Sequence, residues 1–441
     1  MGQVISVVEL TALRESVEVF PVDRRNARLS VWNAAAAAVS YNLINTYVSI
    51  FAVYLGADNM QLGYLNSWPQ AASVAAVLLL ASTVGQSPRK QVLTAGINLV
   101  GRTAALGAAA VPWFPAAWRV WALILFWVLS VFPYSVGTTT QNSFLADIFP
   151  AQERGRAFAA RNSWSTAAAM ITVLVAGWAL DHLFPYPLGY QLIFFGSFAF
   201  GVLEIYLFLC LRSPNSGTPA APSQTAVRSL RTDLGETWRT YGAVFRHRPF
   251  LMFLVCSIPF HFTWQMAWPI FTRFEVTDLG MDNTWLSLTT VANSLSAVVA
   301  YPFLARRAER VGNLRMLAET AINLAIAPWL TAICPNALWV VIINLFTGIG
   351  PAGANLFVLN SLLDIAPAET RAGNLAVHQA LVSASAAIAP LVGAYLMTAH
   401  TPKAALIIST FARILTAGGF FLLLYRQRQA GRKVEAAARF V

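Results

Sequence analysis

Two stretches of this chain carry hydrogen-bonding side chains at helical spacing within otherwise apolar sequence. Asn42, Asn45, Thr46 and Ser49 fall at i, i+3, i+4 and i+7, on one face of a helix. His261, Trp264, Gln265 and Trp268 repeat that spacing. An amide without a partner in hydrocarbon costs roughly 2–7 kcal/mol, so such stripes face another helix or water. Water-filled, the two stripes would hold a small solute through amides, hydroxyls and indole rings. Packed against other helices, they would supply hydrogen bonds worth about 0.6–2 kcal/mol each. His261 adds an imidazole, which exchanges a proton near neutral pH or serves as a neutral hydrogen-bonding group.

Other chemistries lack their residues. The 441 residues include only five His and three Cys. No His/Asp/Glu cluster is present of the kind a membrane-embedded enzyme would need. Cys210, Cys256 and Cys334 have no metal or redox spacing. No Gly-Lys-Ser/Thr phosphate loop occurs, which argues against ATP drive. Gly348-Ile349-Gly350-Pro351-Ala352-Gly353 matches a dinucleotide pattern by letter, but it lies inside an apolar stretch with no strand before it. Flexing or close helix packing accounts for it better. No catalytic site, cofactor or metal is expected.

The elements that must position the two stripes follow from composition. The chain is 57% hydrophobic and 11% charged, where soluble domains carry about 25% charged residues. Twelve apolar stretches reach the roughly 20 residues that cross a bilayer. They span 31–55, 61–84, 91–112, 118–140, 157–180, 189–211, 250–273, 284–305, 314–334, 337–360, 373–397 and 404–425. Their Leu/Ala-rich character favours helix, and the short alternating segments of a β-barrel do not occur. An all-α membrane protein with twelve transmembrane helices is the expected fold class.

The net charge of +11 would suit a nucleic-acid partner, but its placement argues otherwise. Arg14, Arg24, Arg25 and Arg28 precede span 1, and Arg89 and Lys90 join spans 2 and 3. Arg154, Arg156 and Arg161 follow span 4, Arg306, Arg307, Arg310 and Arg315 join spans 8 and 9, and further Arg residues crowd the 213–248 linker and the tail. The opposite loops hold Arg119, Arg273 and Lys403. Lys and Arg stay on the cytoplasmic side, so both termini are expected in the cytoplasm and no nucleic-acid partner is expected. Trp113, Trp118, Trp121, Trp178, Trp285, Trp329 and Trp339 fall near outer span ends, as an interfacial belt would. Residues 1–30 lack the apolar core of a cleavable signal.

The chain is also duplicated. Leu55-Gly56-Ala57-Asp58-Asn59-Met60-Gln61-Leu62 recurs as Leu279-Gly280-Met281-Asp282-Asn283-Thr284-Trp285-Leu286, and Ile97-Asn98-Leu99 as Ile322-Asn323-Leu324. Pro133 pairs with Pro351, Asn142-Ser143 with Asn360-Ser361, and Asp147 and Arg154 with Asp364 and Arg371. An even number of spans per half makes these parallel repeats, a transporter pattern. The expected organisation is a cytoplasmic segment 1–30, a six-helix bundle 31–212, a linker 213–248, a second six-helix bundle 249–425 and a basic tail 426–441. Within the linker, Leu230, Leu234, Trp238, Tyr241 and Phe245 make the apolar stripe of an interfacial helix.

This layout resembles the major facilitator superfamily over essentially all of the chain beyond residue 30. The family's Gly-x-Leu-x-Asp-Arg-x-Gly-Arg-[Arg/Lys] loop is echoed between spans 8 and 9, where Ala305, Glu309, Arg310, Gly312 and Arg315 hold the matching places. The copy between spans 2 and 3 has Gly85 in place of the acid. Leu145 to Arg156 is similar to the family's connection between spans 4 and 5. The Gly-Pro pattern of proton-driven drug exporters is missing from Thr166–Ala179, and a looser version, Ala389-Pro390-Leu391-Val392-Gly393, stands in span 11.

The resemblance implies two pseudo-symmetric six-helix bundles, with spans 1, 4, 7 and 10 around a central cavity and spans 3, 6, 9 and 12 outside. Arg102 in span 3 and Arg413 in span 12 are then structural charges, with Glu204 and Glu319 as available acids. Pro133 and Pro351 should kink spans 4 and 10. Asp147, Arg154, Asp364 and Arg371 are expected to hold the halves together on the inner side. The implied function is a secondary transporter of a small organic solute by alternating access in the plasma membrane. Its partners would be the solute, membrane lipids and a proton as candidate coupling ion, and the chain would be a monomer. An uncoupled facilitator and a non-transporting sensor that keeps the fold share these features.

Overall fold

The computed structural model describes residues 24–81, 84, 87, 89–149, 151–212, 247–366 and 371–438. The linker stripe from Leu230 to Phe245 lies outside them. Among the described residues there is no β-strand. Helices α1 (Arg24–Asn45) and α2 (Val48–Tyr54) make up span 1, and α3 (Asn59–Ala76) with a π-helical turn makes up span 2. Next come α4 (Lys90–Leu106), α5 (Ala116–Ile148), α6 (Ala151–His182) and α7 (Leu188–Leu209). Span 7 is α8 (Arg248–Met266) and α9 (Trp268–Arg273), followed by α10 (Asn283–Val311) and α11 (Asn313–Ala332). Span 10 is α12 (Ala337–Thr347) and α13 (Ile349–Ile365), and α14 (Arg371–Ala399) and α15 (Pro402–Ala438) close the chain. Ten of the described helical stretches are long and apolar enough to cross a membrane. The helices at spans 2 and 9 fall outside that set. Asn59, Gln61, Asn66 and Gln70 make α3 too polar, and α11 carries Arg315 and Glu319 among its apolar residues.

The repeated octet is a device for ending one helix and starting the next. Gly56 adopts φ 86°, the left-handed region a Cβ disfavours. Its N–H reaches Val53 O at 3.0 Å while Ala57 N–H reaches Ala52 O at 2.9 Å, so two otherwise unpaired carbonyls gain donors. Two residues on, Asp58 Oδ1 accepts from Gln61 N–H (2.7 Å) and Gln61 Oε1 accepts from Asp58 N–H (2.9 Å), a reciprocal cap. In the second copy Gly280 has φ 61° and Asp282 Oδ1 accepts from Trp285 N–H at 2.9 Å. Trp285 stands where Gln61 does, so the reciprocal bond is missing there.

The chain forms two compact units, residues 1–48 with 75–223, and residues 49–74 with 224–441. These units cut across the sequence repeat at residues 49–74. In the first unit, α1 and α7 are joined by a polar ladder with a rung every seven residues of α1. Asn26 exchanges two bonds with the Arg212 backbone, Asn33 Nδ2 donates to Glu204 O (2.8 Å), and the Ser40 and Ser197 hydroxyls each donate to the other's carbonyl at 2.6 Å. Small residues bring other helices together. A Cβ on Gly137 of α5 would collide with the Asn98 amide of α4.

At the centre of this unit Arg102 and Glu204 form an ion pair of 2.5 Å, both side chains almost fully buried. Gly201 makes room for it, since a Cβ there would stand 2.6 Å from Arg102 Cδ. The Tyr134 ring lies 4.9 Å from the guanidinium, and Tyr41 stacks on Tyr134 at 5.3 Å. Of the two acids available to the buried arginines, Glu204 is the one that pairs with Arg102. Removing one partner strands the other charge in a dry interior, which costs about 3–5 kcal/mol. Arg102→Leu and Glu204→Leu should each lower the melting temperature of the purified protein sharply, while the double variant recovers most of the loss. Equal losses in the single and double variants would contradict this.

Candidate functional site

The span 1 stripe sits where its helix is interrupted. Helix α1 stops at Asn45, Thr46 and Tyr47 form a turn, and α2 resumes at Val48. Asn45 is exposed, and Asn42, Thr46 and Ser49 are half-buried. Asn42 Nδ2 donates to Ala38 O of its own helix at 2.8 Å. Asn42, Asn45 and Thr46 belong to the first unit and Ser49 to the second.

The span 7 stripe also brackets a break. Pro269 brings no N–H to the carbonyl four residues back, and the helical ladder lapses at Ala267. Arg413 of α15, which is 1% exposed, binds two carbonyls of the last turn of α8 and one of α11. Its Nε donates to Thr263 O (3.2 Å), Nη2 to Trp264 O (2.9 Å) and Nη1 to Leu324 O (3.0 Å). Glu319, the other available acid, does not pair with Arg413. Glu319 instead accepts from Arg307 (2.8 Å) and Arg315 (3.1 Å), and Arg413 has no acid partner among the described residues. A planar guanidinium with five donors can serve several carbonyls at once, which makes it the residue suited to a broken helix. On the other side of the break, a Cβ on Gly393 of α14 would run into the Met266 carbonyl.

Within the stripe, Trp264 and Trp268 are half-buried, whereas His261 and Gln265 are buried against α14. Gln265 Nε2 donates to Val382 O (3.4 Å). His261 Nδ1 lies 2.8 Å from Ser257 O. That carbonyl can only accept, so Nδ1 carries the hydrogen and Nε2 is left as acceptor in the neutral ring. Ser257 Oγ lies 2.9 Å from His378 Nε2 and 3.4 Å from His261 Nδ1. His378, a residue that spacing within spans 1 and 7 could not reveal, is thereby joined to the site. Its signal was present in the chain: Asn374, His378 and Ser385 lie on one face of α14.

Span 10 breaks at Gly348, three residues before Pro351, between α12 and α13. Span 4 differs, because α5 continues through Pro133 without interruption. The glycines beside Pro351 serve packing. Cβ atoms on Gly350 and Gly353 would run into Asn323 and Thr320 of α11.

A family model described as Major Facilitator Superfamily matches residues 30–263 and 253–440. The chain belongs to the Major Facilitator Superfamily. No curated protein matches it in sequence. Among solved structures, a nucleoside transporter, NupG, superposes with TM-score 0.68 at 12% identity, covering 90% of this chain and 99% of its own. A peptide transporter, POT, gives TM-score 0.65 at 16% identity, covering 96% and 98%. A bacterial homolog of the human lysosomal transporter Spinster, inward-facing and unoccupied, gives 0.64 at 14%, covering 92% and 97%. These likenesses establish the fold. Membership makes the chain a multi-pass membrane transporter rather than an enzyme.

The superfamily loop between α10 and α11 is built as its residues suggest. Gly312, at φ 87°, ends α10, and Glu309 and Arg310 stand exposed in the last turn. Asp364 is exposed and accepts from Asn313 Nδ2 at 2.7 Å. Arg371 is exposed, and no ion pair joins it to Asp364 among the described residues. The side chains of Asp147 and Arg154 lie outside the described set. Because Arg413 holds the carbonyls at the span 7 break, Arg413→Leu should accelerate amide hydrogen exchange over residues 263–271. Arg413→Lys should do nearly the same, since one ammonium cannot reproduce the planar fork. Exchange as slow as in the parent chain would remove Arg413 from this role.

Proposed function

We propose that this superfamily member is a secondary transporter that moves a small organic solute by alternating access, driven by a proton carried at His261. The observation that carries the reading is the coincidence of helix breaks with polar residues. Spans 1, 7 and 10 are interrupted at Thr46, Ala267 and Gly348, beside Asn42, Asn45 and Ser49 and beside His261, Trp264, Gln265 and Trp268. Interrupted helices at bilayer depth leave backbone groups free for a bound solute. Trp264 and Trp268 favour a solute with apolar or aromatic surface. The spans 1, 4, 7 and 10 hold no mid-span carboxylate, which disfavours a strongly cationic one. The reading includes twelve spans, with α3 and α11 counted, both termini in the cytoplasm, a place in the plasma membrane, and action as a monomer.

Nucleosides and short peptides are the first solutes to try, since NupG and POT are named as their transporters. A thermal-shift screen of both on purified protein should yield a stabilising solute. In proteoliposomes that solute should accumulate when a pH gradient is imposed. Trp264→Ala should raise the half-saturating concentration about tenfold, a loss of about 1.4 kcal/mol. A solute that binds tightly yet never crosses the membrane would overturn the transport reading.

Asp147, Arg154, Asp364 and Arg371, with Glu309 and Arg310 of the superfamily loop, form the inner-side clasp in this proposal. Their two-fold recurrence at the ends of spans 4 and 10 supports a shared mechanical task. D364N/R371Q should shift the balance of inward- and outward-accessible states, read by labelling of cysteines introduced in each vestibule. An unchanged labelling ratio would remove the clasp.

A further inference from the structure

The second unit contains more proton chemistry than a single imidazole. Two buried histidines on facing helices, His261 of α8 (7% exposed) and His378 of α14 (6% exposed), meet with ring centroids 5.6 Å apart. The fully buried Ser257 hydroxyl lies between them, 2.9 Å from His378 Nε2. We propose that His261, Ser257 and His378 form one proton-binding site that accepts a single proton and is reached through water held along the α8–α14 seam. This rests on the proton-driven reading above and supplies its coupling site.

The hydrogen bonds allow either ring to take the proton. His261 Nδ1 is committed to Ser257 O, so an added proton goes to Nε2. When His378 Nε2 carries no hydrogen, the Ser257 hydroxyl donates to it. If that nitrogen is protonated, the hydroxyl rotates and accepts instead. The 2.9 Å contact survives in both states, and the hydroxyl passes between donor and acceptor without moving a helix.

Only one proton fits. Two imidazolium rings at this separation repel each other where water cannot screen them. Among the described residues, the neighbouring elements add no anion to offset a second charge. From α15 comes the cation Arg413, which binds the carbonyls of Thr263 and Trp264. On α8 itself Cys256 Sγ contacts Gly419 O. Helix α9 presents Arg273, which donates to Ala57 O. Helix α13 carries Asp364 only at its exposed end, where Asn313 binds it. Arg248 and Arg371 stand exposed at the starts of α8 and α14, and Glu275 lies beyond the span 7 break.

The seam itself points to water. Asn374, one turn before His378, is completely buried, and neither of its amide atoms has a partner among the described residues. Gln265 Oε1 and Ser385 Oγ, both buried, are in the same position. Ser257, His261 and Gln265 recur at every fourth residue of α8, and Asn374, His378 and Ser385 share a face of α14. Buried polar atoms in such a row hold ordered water, because leaving them unpaired is costly. They make a path along which a proton can reach the pair.

The test is a proton count that needs no solute. Chain labelled with 15N-histidine is placed in lipid nanodiscs and titrated on either side of the free imidazole value of about 6.5. In the variant H182Q/H247Q/H400Q, whose changes lie at helix ends, only His261 and His378 remain. The expected result is one proton taken up by the two rings together, with both sets of resonances moving in that step. Uptake of two protons, or of none, overturns the proposal. If the triple variant does not fold, the wild-type chain carries the same test, with the His261 and His378 resonances assigned by their loss in H261Q and H378Q and one proton again expected for the two rings together. A chain that passes this count yet transports no solute would refute the transport reading alone. A chain that transports under a pH gradient but binds two protons or none at these rings would refute the shared site alone.

Discussion

Within hydrocarbon no water is available to satisfy a polar group, so every donor, acceptor and charge inside the bilayer must find its partner in the protein. The interior of both units is organised by that requirement. In the first, a guanidinium is answered by a carboxylate, Arg102 by Glu204, with an aromatic face alongside. In the second, the guanidinium of Arg413 is answered by three backbone carbonyls. Two halves descended from one repeat thus solve the same electrostatic problem with different atoms.

Breaks and charges are therefore linked. A continuous helix keeps its carbonyls occupied, whereas an interrupted one presents them to whatever cation or solute is near. Pro269 weakens the turn after α8, Arg413 holds the carbonyls of Thr263 and Trp264, and Gly393 lets α14 approach the same turn. The stripe from His261 to Trp268 is held in place by these three contacts from neighbouring helices as much as by its own sequence. The same dependence appears at the Gly348 break, where Gly350 and Gly353 bring α13 against α11 closely enough that any side chain would collide. A glycine pattern that reads by letter as a nucleotide loop is here the means by which two helices touch.

Much of the architecture is legible in the chain because it follows from short-range rules. The length of apolar runs gives helices that match a bilayer, and the octet beginning at Leu55 and Leu279 carries its stop and start signals in Gly and Asp. The pairing of Arg102 with Glu204 could be named as available because both are charges in apolar helices. Glu319 was equally available to Arg413, but Arg307 and Arg315 lie closer and claim it. His378 shares a helix face with Asn374 and Ser385, but it and Ser257 acquire their meaning only opposite each other.

What the amino-acid order determines alone is whatever depends on neighbours within a few turns, namely helix, span and cap, together with the two-fold repeat. Which buried charge meets which partner, where a proline truly interrupts its helix, and which two histidines share a hydroxyl are decided by tertiary contact. Pro133 and Pro351 occupy equivalent places, yet one helix runs on and the other has a break nearby. The physical reason is that a freed carbonyl or a buried imidazole is stabilised by atoms brought from distant parts of the chain, and those distances exist only after the helices have packed.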